Sequence, residues 1–216
     1  MIPLLQEFYV AVLADGEFPK NNIPLDFLWR AKHIICCDGA VENLLKFGRN
    51  PDFIVGDCDS ISDGLKQRFK SILYQITEQE TNDLTKAVNF CFSRGWDDIT
   101  VLGATGKRED HTLGNLSLIA DYAEKGNIQL LTDYGVFVPQ LKTAVYESVA
   151  GQQVSIFSLN TSVPVTAHGL VYNIDGKRLD SWWNGTLNEA ATDNFIVEIT
   201  DGKLLVFREY IPFTGK

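Results

Sequence analysis

Basic charge is in short supply: Lys+Arg 19 against Asp+Glu 28 leave a formal net charge of -9 at pH 7. A broad nucleic-acid-binding face needs a basic stripe for the phosphates, and this balance argues against one. A small anionic ligand held through a metal ion is still compatible with it. Long apolar runs are missing as well. The run Phe8–Ala14 is far too short to span a bilayer, so no membrane association is expected. No basic segment or small-residue cleavage site precedes it, so no secretory signal is expected either. Cysteine is limited to 4 residues, Cys36, Cys37, Cys58 and Cys91, with no CxxC spacing. That usage points to reduced, buried thiols in a cytoplasmic protein. Histidine is rarer still: the 3 residues at 33, 111 and 168 show no HExxH spacing, which argues against a zinc site. There is no internal repeat and no low-complexity segment. The remainder is ordinary for a folded chain, with 45% apolar and 22% charged residues. Its 216 residues suffice for one large domain or two small ones.

Apolar runs and helical stripes alternate in the first part. Phe8–Ala14, Ile34–Cys37, Phe53–Val55, Ile72–Ile76, Ile99–Leu102 and Ile128–Leu131 read as strands buried on both faces. Val41, Leu44 and Leu45 mark a helix stopped by Gly48 and Pro51. Ser62 is a candidate N-cap for a helix carrying Leu65, Phe69 and Ile72 on one face. Asn82 is the cap expected for a helix with Leu84, Ala87, Val88, Cys91 and Phe92, ended by Gly95. Leu113, Leu116, Ala120 and Ala123 form the next stripe, closed by Gly126. This alternation implies an α/β domain with a doubly wound, mostly parallel sheet, spanning residues 1–140. From about residue 141 the pattern changes to short runs: Val145-Tyr146, Val154–Phe157, Leu170–Ile174, Phe195–Ile199 and Leu204–Phe207. Turns at Asp175-Gly176, Asn184-Gly185 and Asp201-Gly202 separate them, and the last reads as a hairpin. Residues 141–216 are therefore expected to form a smaller all-β sandwich or partial barrel.

Ligands of an open parallel sheet bind beyond the carboxyl ends of the strands. The polar motifs fall there repeatedly. The second strand runs into Asp38-Gly39, the third into Gly56-Asp57-Cys58-Asp59-Ser60, and the fifth into Gly103–His111. Glu78–Asp83 precedes a helix. Singly, each motif is a turn or a cap: Asp38-Gly39 alone is a turn, and Asp83 alone suits a helix N-terminus. Together, Asp38, Asp57, Asp59, Glu80, Asp83 and Asp110 would converge on one sheet edge. Clustered carboxylates repel, and a hard cation such as Mg²⁺ relieves the repulsion. Mg²⁺ usually arrives with phosphate, so a nucleotide or other polyphosphate is the expected ligand. Gly103 and Gly106 permit close backbone approach, and Lys107 and Arg108 can neutralise phosphate oxygens. This segment matches neither GxGxxG nor GxxxxGK[ST]. His111 is read as positioning a phosphate or carboxylate, and His33 as a strand-start residue without a role.

Asp57-Cys58-Asp59 also invites a phosphatase reading, with Asp57 as nucleophile, or a nucleotide-sugar transferase reading. Neither explains the Gly103–Asn115 block. In the second half, Tyr172, Trp182 and Trp183 are candidates to stack on a flat, cationic heterocycle, against the competing reading of Tyr172 as core. On a strand, Trp182 and Trp183 would face opposite sides, leaving one exposed or in an oligomer interface.

These blocks resemble the thiamine pyrophosphokinase family. The family pattern has an Asp-Gly pair, a Gly-Asp-x-Asp-Ser block, a Lys/Gln-Asp-x-Thr-Asp block and a Gly-x-x-Gly-x-Arg-x-Asp-His-x-Leu-x-Asn block. Here they read Asp38-Gly39, Gly56–Ser60, Gln79–Asp83 with Lys86 following, and Gly103–Asn115. The segment His168–Tyr172 with Asn188-Glu189 is similar to the thiamine-side strand and loop. Glu80 stands where the family usually has Asp, Asn82 where it has Thr, Leu187 where relatives often have Ser, and Val171 where Lys is common. The resemblance implies an enzyme that transfers a diphosphoryl group from Mg-ATP to thiamine, releasing AMP. It implies Asp57, Asp59, Glu80 and Asp83 as metal ligands, and Asp57, Asp83, Arg108 and Asp110 as the catalytic set. It places nucleotide on Asp38, Gly103, Ala104, Thr105, Gly106, Arg108, His111 and Asn115, and thiamine on Tyr172, Trp182 and Asn188. It further implies a homodimer with thiamine between the first domain of one subunit and the second domain of the other. A non-catalytic thiamine- or nucleotide-binding module is the remaining alternative.

Overall fold

The computed structural model describes residues 9–211. Phe8, expected to open the first strand, lies outside them. The chain divides into two compact units between Asp133 and Tyr134.

The first unit alternates strand and helix: β1 (Val10–Leu13), α1 (Asn22–Arg30), β2 (His33–Cys37), α2 (Ala40–Phe47), β3 (Phe53–Gly56), α3 (Asp63–Arg68), β4 (Leu73–Gln75), α4 (Asp83–Ser93), β5 (Asp98–Leu102), α5 (Glu109–Tyr122) and β6 (Asn127–Leu131). The strands run parallel in the order β4-β3-β2-β1-β5-β6. All residues of β1 and nearly all of β2, β3 and β5 are buried, which is why these strands read as continuous apolar runs. α4 packs on β1, β2 and β3.

Local capping sets the helix starts. The Asn82 side chain accepts from Thr85 N at 2.9 Å and opens α4. Asn21 does the same for α1, accepting from Ile23 N at 2.9 Å. α1 carries Pro24 early, where its missing N–H costs nothing. Ser62 occupies the N-cap position of α3 without a side-chain bond. That helix ends at Arg68, so Phe69 is its C-cap and Ile72 lies in the turn into β4 rather than on a helical face. The buried face of α5 is Ile119, Ala120 and Tyr122, while Leu113 stands 52% exposed.

The second unit holds β7 (Gly135–Gln140), β8 (Ala144–Glu147), β9 (Gln153–Ser158), β10 (Pro164–His168), β11 (Ile174–Arg178), a short 3₁₀ helix (Trp182–Gly185), β12 (Asn188–Glu189), β13 (Asn194–Glu198) and β14 (Leu204–Glu209). Because β7 pairs with β14, the division falls several residues before the expected boundary near 140. One antiparallel sheet runs β12-β9-β14-β7 and the other β11-β10-β13-β8. Alternating inward residues of both sheets, among them Val154, Ile156, Val165, Val197, Phe195 and Val206, form one core. Arg208, 2% exposed, crosses from β14 to donate Nη1–H to the Glu147 carbonyl at 2.9 Å.

Three expected features of this unit change in the structure. Leu170–Ile174 is not a strand: Leu170 makes a single bridge to Ala190, and β11 begins at Ile174. Asp175-Gly176 lies inside β11, beside a register shift against β10, instead of in a turn. Asp201-Gly202 does form a turn, but β13 and β14 belong to different sheets, so it is a crossing between layers and not a hairpin.

Phe195 is 1% exposed and stacks on Tyr146 at 5.0 Å between ring centroids. Phe195→Ala is expected to destabilise the chain by about 3–5 kcal/mol. Urea unfolding followed by circular dichroism checks it; a loss under about 1 kcal/mol would contradict the packing described.

Candidate functional site

The strand order reverses between β1 and β5, and the segments leaving these two strands are joined backbone to backbone. Ala14 N–H donates to Leu102 O at 2.8 Å, Gly16 N–H to Gly103 O at 2.6 Å, and Glu17 N–H to Thr105 O at 2.8 Å. A Cβ on Gly16 would lie 2.3 Å from Gly103 O, and one on Gly103 would lie 2.7 Å from Ala14 O. Only glycine permits this approach, and Gly103 also has φ +63°. Beyond these ends lies a pocket of about 440 Å³. Asp15, Asp38, Asp57, Asp59 and Asp83 line it together with Lys107, Arg108 and His111.

Asp38 is the buried member, 5% exposed and at φ +43°. Its Oδ2 accepts from the Ser60 hydroxyl at 2.5 Å and from Ser60 N–H at 3.3 Å. Its Oδ1 is buried without a hydrogen-bond partner. Burial pushes its carboxyl above the ordinary value, with Asp83 and Asp57 adding repulsion. Asp57 accepts from Asp59 N–H at 3.1 Å, and that bond holds its carboxyl below the usual value. Between them Cys58 is at φ +65°, a strained conformation for a residue with a Cβ. The turn brings ligand atoms of Asp38, Asp57 and Asp59 within 4.8 Å of one another. Burial pushes the Cys58 thiol up to about 11, which disfavours its thiolate.

Asp83 opens α4 beside this cluster. A Cβ on Gly56 would meet Asp38 Cβ at 3.0 Å and Asp83 Oδ1 at 3.3 Å, so both acids pack over that glycine. Lys86, 4% exposed, donates to Asp83 Oδ1 at 3.2 Å. It supplies one buried cation against several carboxylates. Glu80 is exposed, does not line the pocket, and donates its N–H to Glu78 Oε2 at 2.7 Å. It is not among the carboxylates whose ligand atoms gather with Asp38, Asp57 and Asp59.

On the glycine loop, Arg108 grips Asp110 with Nε at 3.0 Å from Oδ1 and with a second N–H on Oδ2. That bond holds the Asp110 carboxyl at about 2. Asp110 also accepts from His111 N–H at 2.9 Å and faces Arg108, outside the pocket lining. Asn115 donates to Ala104 O at 2.9 Å and accepts from Asn82 at 3.1 Å, tying the loop to the cap of α4. Ala104 and Thr105 line the pocket; Gly103 and Gly106 shape its backbone.

In the second unit, Tyr172 is 70% exposed, so it is not core. Trp182 and Trp183 occupy the 3₁₀ helix rather than a strand, and both are exposed. Asn188 is buried. Its Nδ2 donates to Tyr172 O at 2.7 Å, and its Oδ1 accepts from Tyr172 N–H at 3.1 Å and Glu189 N–H at 2.9 Å. Its amide therefore holds the Tyr172 segment. Leu187, at φ +57°, is exposed beside it.

Asp15 escaped the sequence reading, which noted Lys86 only as following the Gln79–Asp83 block. Asp15 directly follows the first apolar run, the same position relative to a strand that singled out Asp38. Lys86 is one helical turn after Asp83, a spacing that signals an ion pair.

Fold and pocket define a class first: an α/β domain with an acid-lined pocket at its topological switch point, followed in the same chain by an antiparallel β domain. The family models narrow it. "Thiamin pyrophosphokinase, catalytic domain" matches residues 25–131, and "Thiamin pyrophosphokinase, substrate-binding domain" matches residues 135–207. Thiamine pyrophosphokinase 1 of Oryza sativa subsp. japonica is 27% identical, over 89% of this chain and 81% of its own. The Bacillus subtilis thiamine pyrophosphokinase is 32% identical, over 51% of this chain and 53% of its own. The crystal structure of the Bacillus subtilis enzyme shares the fold with a TM-score of 0.77 at 22% identity, covering 93% of this chain and 98% of that one. The chain belongs to the thiamine pyrophosphokinase family.

The raised Asp38 carboxyl gives a pH prediction. A raised native pKa contributes stability below the unfolded value of 3.8, lost as pH rises through the native value. Ionised Asp38 therefore weakens the cation-free fold at neutral pH. Asn keeps the Ser60 bond and tolerates φ > 0. Asp38→Asn should raise the melting temperature of EDTA-treated protein at pH 7, with the gain shrinking toward pH 3.8. A lower melting temperature at pH 7 would contradict it.

Proposed function

We propose that the pocket binds Mg-ATP and delivers its β,γ-diphosphoryl group to the hydroxyethyl oxygen of thiamine, with AMP as the leaving group. Membership of the family makes the chain an enzyme that forms thiamine diphosphate from thiamine; the phosphatase and nucleotide-sugar transferase readings have no support. One observation carries the site assignment. Asp38 has a buried, unpartnered Oδ1, and its carboxylate places an oxygen within 4.8 Å of ones on Asp57 and Asp59, in the same pocket as the glycine loop. An oxygen-only donor set with an orphaned carboxylate atom fits a hard divalent cation.

Asp38, Asp57 and Asp59 would hold Mg²⁺, with Asp83 beside them. A cation there would offset charge on the phosphate oxygens of the bound nucleotide. The chain's own residues do the rest. Gly103–Gly106 shape the wall against which the nucleotide lies. Arg108 and Lys107 neutralise the transferred group, and Arg108 exchanges its Asp110 partner for phosphate. Lys86 pairs with Asp83. His111 and Asn115 hold the loop in register. Catalysis is then in-line positioning with charge neutralisation, and no covalent intermediate is needed. Tyr172 and Trp182 would supply the aromatic surface for the thiamine ring, with Asn188 fixing the Tyr172 segment. The exposed run Tyr172, Trp182, Trp183 and Leu187 supports a homodimer that covers it. The four buried, unpaired thiols are consistent with a cytoplasmic protein. No helix among the described residues is long and apolar enough to cross a membrane.

Incubation with Mg²⁺, ATP and thiamine, followed by nucleotide separation, tests this reading. AMP should appear only with thiamine and in step with thiamine diphosphate. Orthophosphate or ADP as product would overturn it, and ligand binding without turnover would favour a binding module. Asp57→Asn should cut turnover by roughly a hundredfold or more with the circular dichroism spectrum unchanged.

A further inference from the structure

Lys107 is engaged by a partner from another part of the chain. Its Nζ donates to Asp15 Oδ1 at 2.9 Å, although the two residues are 92 positions apart. The contact is built in by the backbone: Gly16–Gly103 and Glu17–Thr105 bonds clamp the Asp15 segment against the glycine loop. Asp15 also reaches the Asp38-Gly39 turn. A Cβ on Gly39 would lie 3.1 Å from Asp15 Oδ2 and 2.8 Å from Ser60 Oγ. Glycine after Asp38 thus leaves room for the Asp15 carboxylate and for the hydroxyl that binds Asp38. One carboxylate therefore stands between the loop cation and the Asp38 turn. The pair is solvent-accessible, with side chains 53% and 39% exposed, and such pairs are weak and exchangeable.

We propose that Asp15 is a positioning residue for the nucleotide. It holds Lys107 at the pocket wall in the free protein and surrenders it to a phosphate oxygen when the nucleotide enters. This deepens the Mg-ATP reading and rests on it. Asp15 competes with phosphate for the same ammonium group, so removing its charge strengthens nucleotide binding. The benefit requires Lys107. Loss of Lys107 weakens binding and makes position 15 indifferent. A purely structural Asp15 would show neither the sign nor the dependence.

The test is a double-mutant cycle on ATP affinity, by calorimetry with Mg²⁺ and without thiamine, for wild type, Asp15→Asn, Lys107→Met and the double variant. Asp15→Asn is expected to tighten binding about two- to fivefold. Lys107→Met should loosen it about tenfold, and the double variant should match Lys107→Met. Both positions are solvent-accessible, and unchanged circular dichroism spectra establish that the variants fold. Weaker binding in Asp15→Asn, or an Asp15→Asn effect that persists in the Lys107→Met background, overturns the exchange while leaving the nucleotide site standing. ATP binding by Lys107→Met equal to wild type does the same. Absence of ATP binding by the wild type overturns the nucleotide site itself, and the exchange with it.

Discussion

A buried carboxylate without a counter-charge in contact is the constraint around which the first unit is arranged. Asp38 follows β2 in a turn at the carboxyl edge of the sheet, with one oxygen held by Ser60 and the other without a partner. Desolvation penalises its charge, and Asp57 and Asp83 add to the penalty. The local backbone is bent to keep it there. Asp38 and Cys58 both take left-handed conformations, and Gly56 is bare so that Asp38 and Asp83 can pack over it. In the proposed site, a cation completing the cluster would account for this strain.

The glycine loop meets the same demand from the opposite sign. Its two cations are matched with carboxylates of their own, Lys107 with Asp15 and Arg108 with Asp110. The loop is positioned from outside through the Gly16–Gly103 crossing and through the Asn82–Asn115–Ala104 chain of hydrogen bonds. Asn82 thus does two things at once: it caps α4 and fixes the loop. The parallel sheet contributes rigidity, because both polar segments leave strands that are almost fully buried. The switch point between β1 and β5 supplies the crevice in which acids and loop meet.

Much of this was legible in sequence because each element carried a local cause. Strands buried on both faces appear as apolar runs, and Asn82 announces α4 by its capping chemistry. Asp38, Asp57, Asp59 and Asp83 all follow strands or open a helix. The misses share a different cause: the deciding contacts are distant in sequence. Asp201-Gly202 has hairpin chemistry, yet which sheet a strand joins depends on pairing partners such as β7, β8 and β9. Leu170–Ile174 alternates like a strand, but Gly169 and the Asn188 bonds to Tyr172 break it. Glu80 has the charge for the cluster, yet it stands exposed and outside the pocket lining. Asp15 gains its meaning only when two loops 92 positions apart are clamped together. α1 was missed because Pro24 masks a helix start that its Asn21 cap would otherwise disclose.

The proposed function requires that the Asp38 cluster be a divalent-cation site shared with the nucleotide. Calorimetric titration of Mg²⁺ into cation-free protein, with and without ATP, tests that requirement most directly. Saturable binding is expected, strengthened by ATP and removed by Asp59→Asn. Failure of Mg²⁺ to bind with ATP present, or binding that survives Asp59→Asn unchanged, would contradict it.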